Sequence, residues 1–377
     1  MLIVADAGRL PLRDECVSTV VTSPPYWGLR DYGIPPRIWG ALDCPHEWGE
    51  TVSVNATNHT DKRRWNHTRN GRDEEQPVEK RVAWLRTDVD QGQFCGLCGA
   101  WRGNLGLEPT PELYTQHIVD VLREVRRVLK DDGTVWLNIG DSYANPDKGG
   151  YQPSRTKAED SLQRGNLASD FYGAPNRNWQ GLPAKNLIGV PWRVAFALQA
   201  DGWYLRQDII WAKPNPMPES VLDRCTKSHE YLFLLAKSER YFYDADAVRE
   251  EYAADSLARV QRGRSNEHKY SDGGPGNQTL ARDISKACTS PIGRNKRSVW
   301  TVPTQPFSGA HFATFPEALV EPCILAGCPV GGLVFDPFLG SGTVGVVAER
   351  LGRRWVGTDL GYQQIAQQRT VQRGLRW

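Results

Sequence analysis

Two short segments, near opposite ends of the 377-residue chain, carry side chains whose types and spacing could do chemistry. The first is Thr22-Ser23-Pro24-Pro25-Tyr26-Trp27, directly after the apolar run VSTVV. Consecutive prolines fix φ and donate no N–H, so their carbonyls stay available as acceptors, and a neighbouring serine hydroxyl adds another. The loop could therefore accept hydrogen bonds from a bound group, and an exposed Tyr26-Trp27 pair would offer a face for stacking. As a bare rigid turn the segment would need no such company.

The second segment is DPFLGSGTVG, after the apolar run ending at Phe335, in which Gly340, Gly342 and Gly345 fit G-x-G-x-x-G and Asp359 closes the next apolar run. Glycines let a backbone approach a ligand at a helix start, and an acid at the tip of the following strand suits ribose hydroxyls. A glycine turn required only by packing is the bland alternative. No GK[ST] follows, so a P-loop nucleotide site is excluded. Asp336 chooses among the remaining ligands: its carboxylate would repel a pyrophosphate settling on the helix N-terminus. It would favour a ligand bearing an ammonium and a sulfonium, which points to S-adenosylmethionine and away from NAD.

A third group is metal-like. Cys95-Gly-Leu-Cys98 has zinc-knuckle spacing, and Cys44-Pro-His46 supplies two more ligands across a charged stretch, giving a Cys3His set for a structural Zn2+. Unliganded thiols with His46 as an ordinary surface residue are the alternative. His59 and His67 read as solvated. Pro322-Cys323 sits in an apolar helical stretch and reads as core.

These groups need strands and helices to place them. Leu2 to Val4 and Val17 to Val21 read as buried parallel strands. Pro111 to Lys130 reads as a helix, with Thr110 as N-cap and a stripe of Leu113, Ile118, Leu122, Val125 and Leu129. The strand GTVWLNI follows. A helix at about 184–200, the strand WYLRQDIIW, and a hairpin of EYLFLLAKS with RYFYD come next. The last part reads as a helix near Pro316 to Leu325, the strand GLVFD, a helix from about Thr343, the strand RRWVGTD and a terminal helix. The alternation predicts an α/β fold, a doubly wound Rossmann-like sheet with an antiparallel hairpin and insertions. The expected division is 1–43 with 106–250, an insertion at 44–105, a basic segment at 251–300, and 301–377.

Composition sets outer limits. Hydrophobic residues make up 40% and charged residues 24%, so the chain can bury a core, and wholesale disorder is excluded. The formal charge is only +2, so nucleic-acid affinity must come from local patches. Residues 257–300 hold nine Arg and Lys against three Asp and Glu and form such a patch. Within it Arg294, Lys296 and Arg297 are the expected nucleic-acid contacts, with Trp27 beside Tyr26 as a further one; a solvated loop is the alternative reading of the segment. No run is long and apolar enough to span a membrane, and the eight cysteines are too sparse for a disulfide scaffold, which suggests a cytoplasmic protein.

Taken together, SPPY and DPFLGSG resemble the amino-methyltransferases of DNA, with a catalytic loop [DSN]PP[YFW] and a cofactor loop containing FxGxG. The catalytic loop precedes the cofactor loop, which resembles the β group, a circular permutation of one class I methyltransferase fold. LIVADAGRLPL and HFATFPEALVEPCILAGCP resemble two further cofactor segments; about 44–105, 143–180 and 250–295 are not covered. The resemblance implies a methyl donor, S-adenosylmethionine, and a double-stranded DNA partner, with homodimerisation left open and a bacterial or phage-infected cell as the setting. It assigns catalysis to Ser23, Pro24, Pro25 and Tyr26. For the cofactor, it implies Asp6 and Ala7 at the adenine, Asp359 at the ribose, and Pro337, Phe338, Gly340, Gly342 and Thr343 as wall. Asp336, Phe312 and Thr314 go to the methionine part. Serine in the first catalytic position resembles the cytosine-N4 subgroup; adenine N6 is the alternative base. An NAD oxidoreductase and a catalytically silent nucleic-acid-binding module are the alternatives from other classes.

Overall fold

Thr22, Asp336 and Asp359 each close a strand, and the parallel pairing of those strands brings the three ends to a single edge. In the computed structural model, the described residues are 1–28, 31, 33–56, 87–144, 182–183, 185–252, 293–305, 316–361, 366–367 and 369. Eight strands form the main sheet: β1 (Leu2–Val4), β2 (Val17–Thr22), β8 (Leu129–Ile139), β9 (Tyr204–Ala212), β10 (His229–Ala236), β11 (Val299–Thr301), β12 (Leu333–Asp336) and β13 (Arg354–Asp359), in the order β1-β13-β12-β2-β8-β10-β9-β11. Only β10 runs antiparallel to its neighbours.

The order places a switch point between β12 and β2. From β12 the chain passes through helix α4 (Thr343–Arg350) to β13 on one side. From β2 it reaches β8 on the other side by way of helix α1 (Pro111–Val128). Loops leaving β12 and β2 therefore diverge, opening a crevice at their carboxyl ends, where open α/β sheets bind ligands.

Helices cover both faces. Alternate residues of the strands supply two cores: Val20, Val135, Leu137, Phe233 and Leu235 pack with α1 and helix α2 (Val190–Ala200). Val21, Trp136, Leu232, Leu234 and Val334 pack with helix α3 (Glu317–Gly327) and α4. Strand β2, buried along its length, contributes to both, which is why VSTVV is a continuous run and does not alternate. Thr110 caps α1 through its hydroxyl, which accepts from the Leu113 N–H at 3.2 Å.

Two expectations are corrected. Strand β1 is an edge strand with Val4 exposed, not a buried one. RYFYD forms no strand: both edges of β10 are taken, by β8 and β9, and β10 is antiparallel to each. The small sheet of the insertion, β3 (Arg37–Trp39), β6 (Gln93–Phe94) and β7 (Trp101–Gly103), starts before position 44. A stem of β4 (Ser53–Ala56) and β5 (Thr87–Asp90) stands on it. Residues 57–86, most of the basic segment and most of the terminal helix lie outside the described residues.

Helix α3 approaches the sheet through Gly327, where a Cβ would lie 2.6 to 2.8 Å from Trp136 Nε1, Thr134 Oγ1 and Thr19 Oγ1. Those neighbours are fully buried and cannot yield. Gly327→Ala should cost about 1–3 kcal/mol by overpacking, read as a lower denaturant midpoint; an unchanged midpoint would contradict this packing.

Candidate active site

Read across the carboxyl edge, the sheet presents Asp6 beyond β1, Asp359 at β13, Asp336 at β12, Ser23 beyond β2, Asn138 on β8, Glu230 on β10 and Lys213 beyond β9. Glu230 reaches this edge because β10 is reversed and begins there.

The two halves of the site are joined by one hydrogen bond. Thr22 Oγ donates to Asp336 Oδ1 at 2.6 Å across 314 residues of chain, and the Phe338 N–H donates to the same oxygen at 3.0 Å. Asp336 is fully buried, and among the described residues its Oδ2 has no partner. Burial, opposed by those two donors, pushes its carboxyl up to about 7. An orphaned, buried carboxylate oxygen is a fit for an ammonium group, the feature that distinguishes S-adenosylmethionine from NAD at this position.

The glycine loop divides its labour as the fingerprint requires. Gly340 and Gly342 take φ of 51° and 83°, the left-handed region, and Gly342 is the N-cap of α4. Gly345 has normal φ but lets the helix lie on Trp355, whose ring would be 2.9 Å from a Cβ. Asp359 holds the loop: its two oxygens accept from the Gly340 and Gly361 N–H groups, each at 2.8 Å. Thr358 Oγ donates to the Pro337 carbonyl at 2.9 Å, and Thr343 is buried at the helix start. At the outer end Asp6 forms an ion pair with Arg37, whose guanidinium lies 3.7 Å above the Trp39 ring. Ala7 is buried against the core beside it. Phe312 and Thr314 fall outside the described residues.

The catalytic loop is braced from below. Tyr114 OH donates to the Pro25 carbonyl at 2.9 Å, and Gly28 N–H donates to the Gly106 carbonyl at 2.8 Å. Tyr26 lies against Gly140, where a Cβ would come within 2.6 Å of the ring. Its hydroxyl sits 2.7 Å from Glu230 Oε2 and 3.0 Å from Asn138 Oδ1, and Ser23 Oγ donates to it at 3.4 Å. Burial, then the Glu230 charge, raise the Tyr26 pKa far above the phenol range, so the phenol keeps its proton. Lys213 pairs with Glu230 on its other oxygen.

The exposed Tyr-Trp pair is corrected at Trp27. Its ring is 2% exposed and its indole N–H donates to the Glu108 carbonyl at 2.9 Å, so Trp27 anchors the loop in the core and has no face for DNA. Arg294 and Arg297 both pair with Glu250, and Lys296 lies 4.9 Å over the Trp300 ring, all beside edge strand β11, four positions from β2. Cys323 is buried, donates to the Leu319 carbonyl, and is held as a thiol by burial, in keeping with its reading as core. Sequence reasoning missed Asn138, Gly140, Glu230 and Lys213. The signal was present for Asn138, Glu230 and Lys213 as polar residues near the end of GTVWLNI, at the start of EYLFLLA and just beyond WYLRQDIIW.

A family model for DNA methylases of the N6/N4 class matches residues 17–368. The chain belongs to this DNA methylase family. It is 39% identical to the type II methyltransferase M.Cfr9I of Citrobacter freundii, over 95% of this chain and 81% of that protein. It is 37% identical to M.SmaI of Serratia marcescens, over 99% and 91%. Among solved structures, the PvuII DNA methyltransferase (cytosine-N4-specific) superposes with a TM-score of 0.50 at 16% identity, covering 98% of this chain and 85% of that one, a likeness of fold. S-adenosylmethionine is the cofactor of these methyltransferases. Among the described residues, no helix is long and apolar enough to cross a membrane.

The state of Asp336 sets a pH dependence. With its folded pKa at about 7 against an ordinary 3.8, the folded protein holds a proton that the unfolded chain has lost, so this group's contribution to stability falls as pH rises from about 4 to 7. Asp336→Asn should remove that slope and make the ligand-free protein relatively more stable at pH 8. It should also weaken cofactor affinity at least about thirtyfold, the lower end for truncating a buried charge pair at ~2 kcal/mol. Calorimetric titration and denaturation at two pH values check this; unchanged affinity would contradict it.

Proposed function

We propose that this DNA methyltransferase transfers the methyl group of S-adenosylmethionine to cytosine N4 of a base extruded from duplex DNA. When bound, the cofactor supplies an electrophilic methyl on a sulfonium. Asp336 would hold its ammonium through the orphaned Oδ2, Asp359 and Asp6 its ribose and adenine, and the loop Pro337–Thr343 its backbone wall, with Phe312 and Thr314 closing the methionine end.

The observation that carries the reading is the direction of the hydrogen bonds behind Ser23. Tyr26 has one proton, shared between Glu230 and Asn138, both of which only accept it there. Its oxygen is therefore left to accept, and Ser23 donates to it. Ser23 Oγ, its proton committed to Tyr26, then has lone pairs to act as an acceptor for an amine N–H. Among the described residues no donor reaches the Pro24 carbonyl, the second acceptor. An exocyclic amine delocalises its lone pair into the ring and attacks poorly until its hydrogens are drawn into a pyramidal arrangement; two fixed acceptors supply that geometry, and positioning carries the rate.

Extruding the base costs a few kcal/mol, and stacking on the half-buried Tyr26 ring at about 1–3 kcal/mol would offset much of it. Cytosine is favoured over adenine by serine in the first catalytic position. The basic segment 257–300, with Arg294, Lys296 and Arg297 at its end, is the proposed duplex-binding element through phosphate contacts.

DNA incubated with labelled S-adenosylmethionine and digested to nucleosides should carry label in 4-methylcytosine; label in 6-methyladenine would replace the base assignment, and no label would overturn the reading. Ser23→Ala and Tyr26→Phe should each slow transfer about hundredfold or more, as removal of one preorganised hydrogen-bonding group does. Cofactor affinity should stay within a few-fold of the wild type; equal loss of binding in both variants would refute this division of roles.

A further inference from the structure

Outside the active site, four side chains with soft-metal chemistry converge where no step of methyl transfer needs them. Cys44 and His46 open the insertion, and Cys95 and Cys98 stand near its end. Their ligand atoms all lie within 4.8 Å of one another. Cys44 Sγ and Cys95 Sγ are 3.9 Å apart, and Cys98 Sγ and His46 Nδ1 are 3.6 Å apart.

Those separations discriminate between chemistries. A disulfide would bring two sulfurs to about 2.05 Å. Around a tetrahedral zinc with Zn–S of about 2.3 Å and Zn–N of roughly 2.05 Å, the edges are about 3.8 Å for two sulfurs and about 3.6 Å for sulfur with nitrogen. The observed pairs have the edges of that tetrahedron. Three thiolates and an imidazole select zinc over magnesium or calcium, which prefer oxygen. Cys95 Sγ already accepts the Leu97 N–H at 3.4 Å, as a knuckle thiolate does.

We propose that Cys44, His46, Cys95 and Cys98 hold one structural zinc ion that closes the base of the insertion. Four protein ligands leave no open position, so the ion does no chemistry on substrate. On binding, the thiols release their protons and the imidazole binds neutral. The backbone is arranged for the closure: Gly96 N–H donates to the Glu47 carbonyl at 2.8 Å and Gly49 N–H to the Phe94 carbonyl at 2.9 Å, with the β4–β5 stem rising from the same pair of segments.

The clasp also connects to the catalytic loop. Beyond Cys98, Trp101 on β7 lies with its ring 5.2 Å from His117, which Trp39 stacks from 4.2 Å. His117 Nδ1 is 2.9 Å from Glu108 Oε1, and the other Glu108 oxygen accepts the Gly106 N–H at 2.8 Å. Gly106 and the Glu108 carbonyl are the partners of Gly28 and Trp27. Removing the ion should loosen the loop from beneath.

Metal analysis of the full-length protein tests the proposal, with one zinc per chain expected. Cobalt(II) loading should give the thiolate charge-transfer absorption of a tetrahedral sulfur site. Cys98 is exposed, so Cys98→Ser should fold yet bind zinc more than about a hundredfold more weakly, because even partners outside the ligand set change affinity about 10–100-fold. Cys225→Ser, in another exposed loop, should keep the full metal content. A protein that purifies without zinc and takes up neither zinc nor cobalt, or a Cys44–Cys95 disulfide found by mass spectrometry, would overturn it.

Discussion

Parallel pairing of β2 with β12 is the constraint on which the site depends. Those strands come from residues 17–22 and 333–336, and their register of Val334 with Thr19 and Phe335 with Val20 leaves Thr22 one residue beyond the level of Asp336, close enough for its hydroxyl to reach the carboxylate. The resulting bond from a hydroxyl to a buried carboxylate belongs to the class worth about 1.5–3 kcal/mol. Its larger effect is geometric. It ties the last residue of one strand to the last residue of the next, so the catalytic loop and the cofactor loop must leave the sheet side by side. The switch in strand order then makes them diverge, and the space between them is the candidate site.

The reversal of β10 shapes the Ser23 side of the candidate site as the switch point shapes the Asp336 side. A parallel strand in that place would bring its carboxyl end to the site and bury Glu230 at the far edge. Running antiparallel, it delivers Glu230 beneath Tyr26, with Lys213 from the adjoining β9 balancing its charge. Asn138, itself 1% exposed, is locked by donating to Glu230 and to the Tyr231 carbonyl. A serine hydroxyl is a donor as readily as an acceptor, and this buried network removes that ambiguity.

The parts of this arrangement legible in the sequence were those encoded locally. Thr110-Pro111 and the apolar stripe behind it mark α1, and Gly340, Gly342 and Gly345 mark a loop with two left-handed residues and one close helix contact. The Cys44-x-His46 and Cys95-x-x-Cys98 pairs also converge as their spacing suggested. What stayed illegible depends on pairing. RYFYD has the alternation of a strand, but both edges of β10, its neighbour in the chain, are already paired. Trp27 reads as a free aromatic until Glu108, 81 residues away, takes its indole N–H. Asn138 and Glu230 look like polar ends of strands, and only the register of β8 with β10 shows that they meet.

The most direct measurement is a crystal structure of the protein with S-adenosylmethionine bound. The account predicts the methionine ammonium within hydrogen-bond distance of Asp336 Oδ2, the adenosine between the Asp359 and Asp6 strand ends, and the methyl directed toward Ser23 and Pro24. A cofactor seated with its methionine part away from Asp336, or its methyl turned from the Ser23 loop, would contradict it.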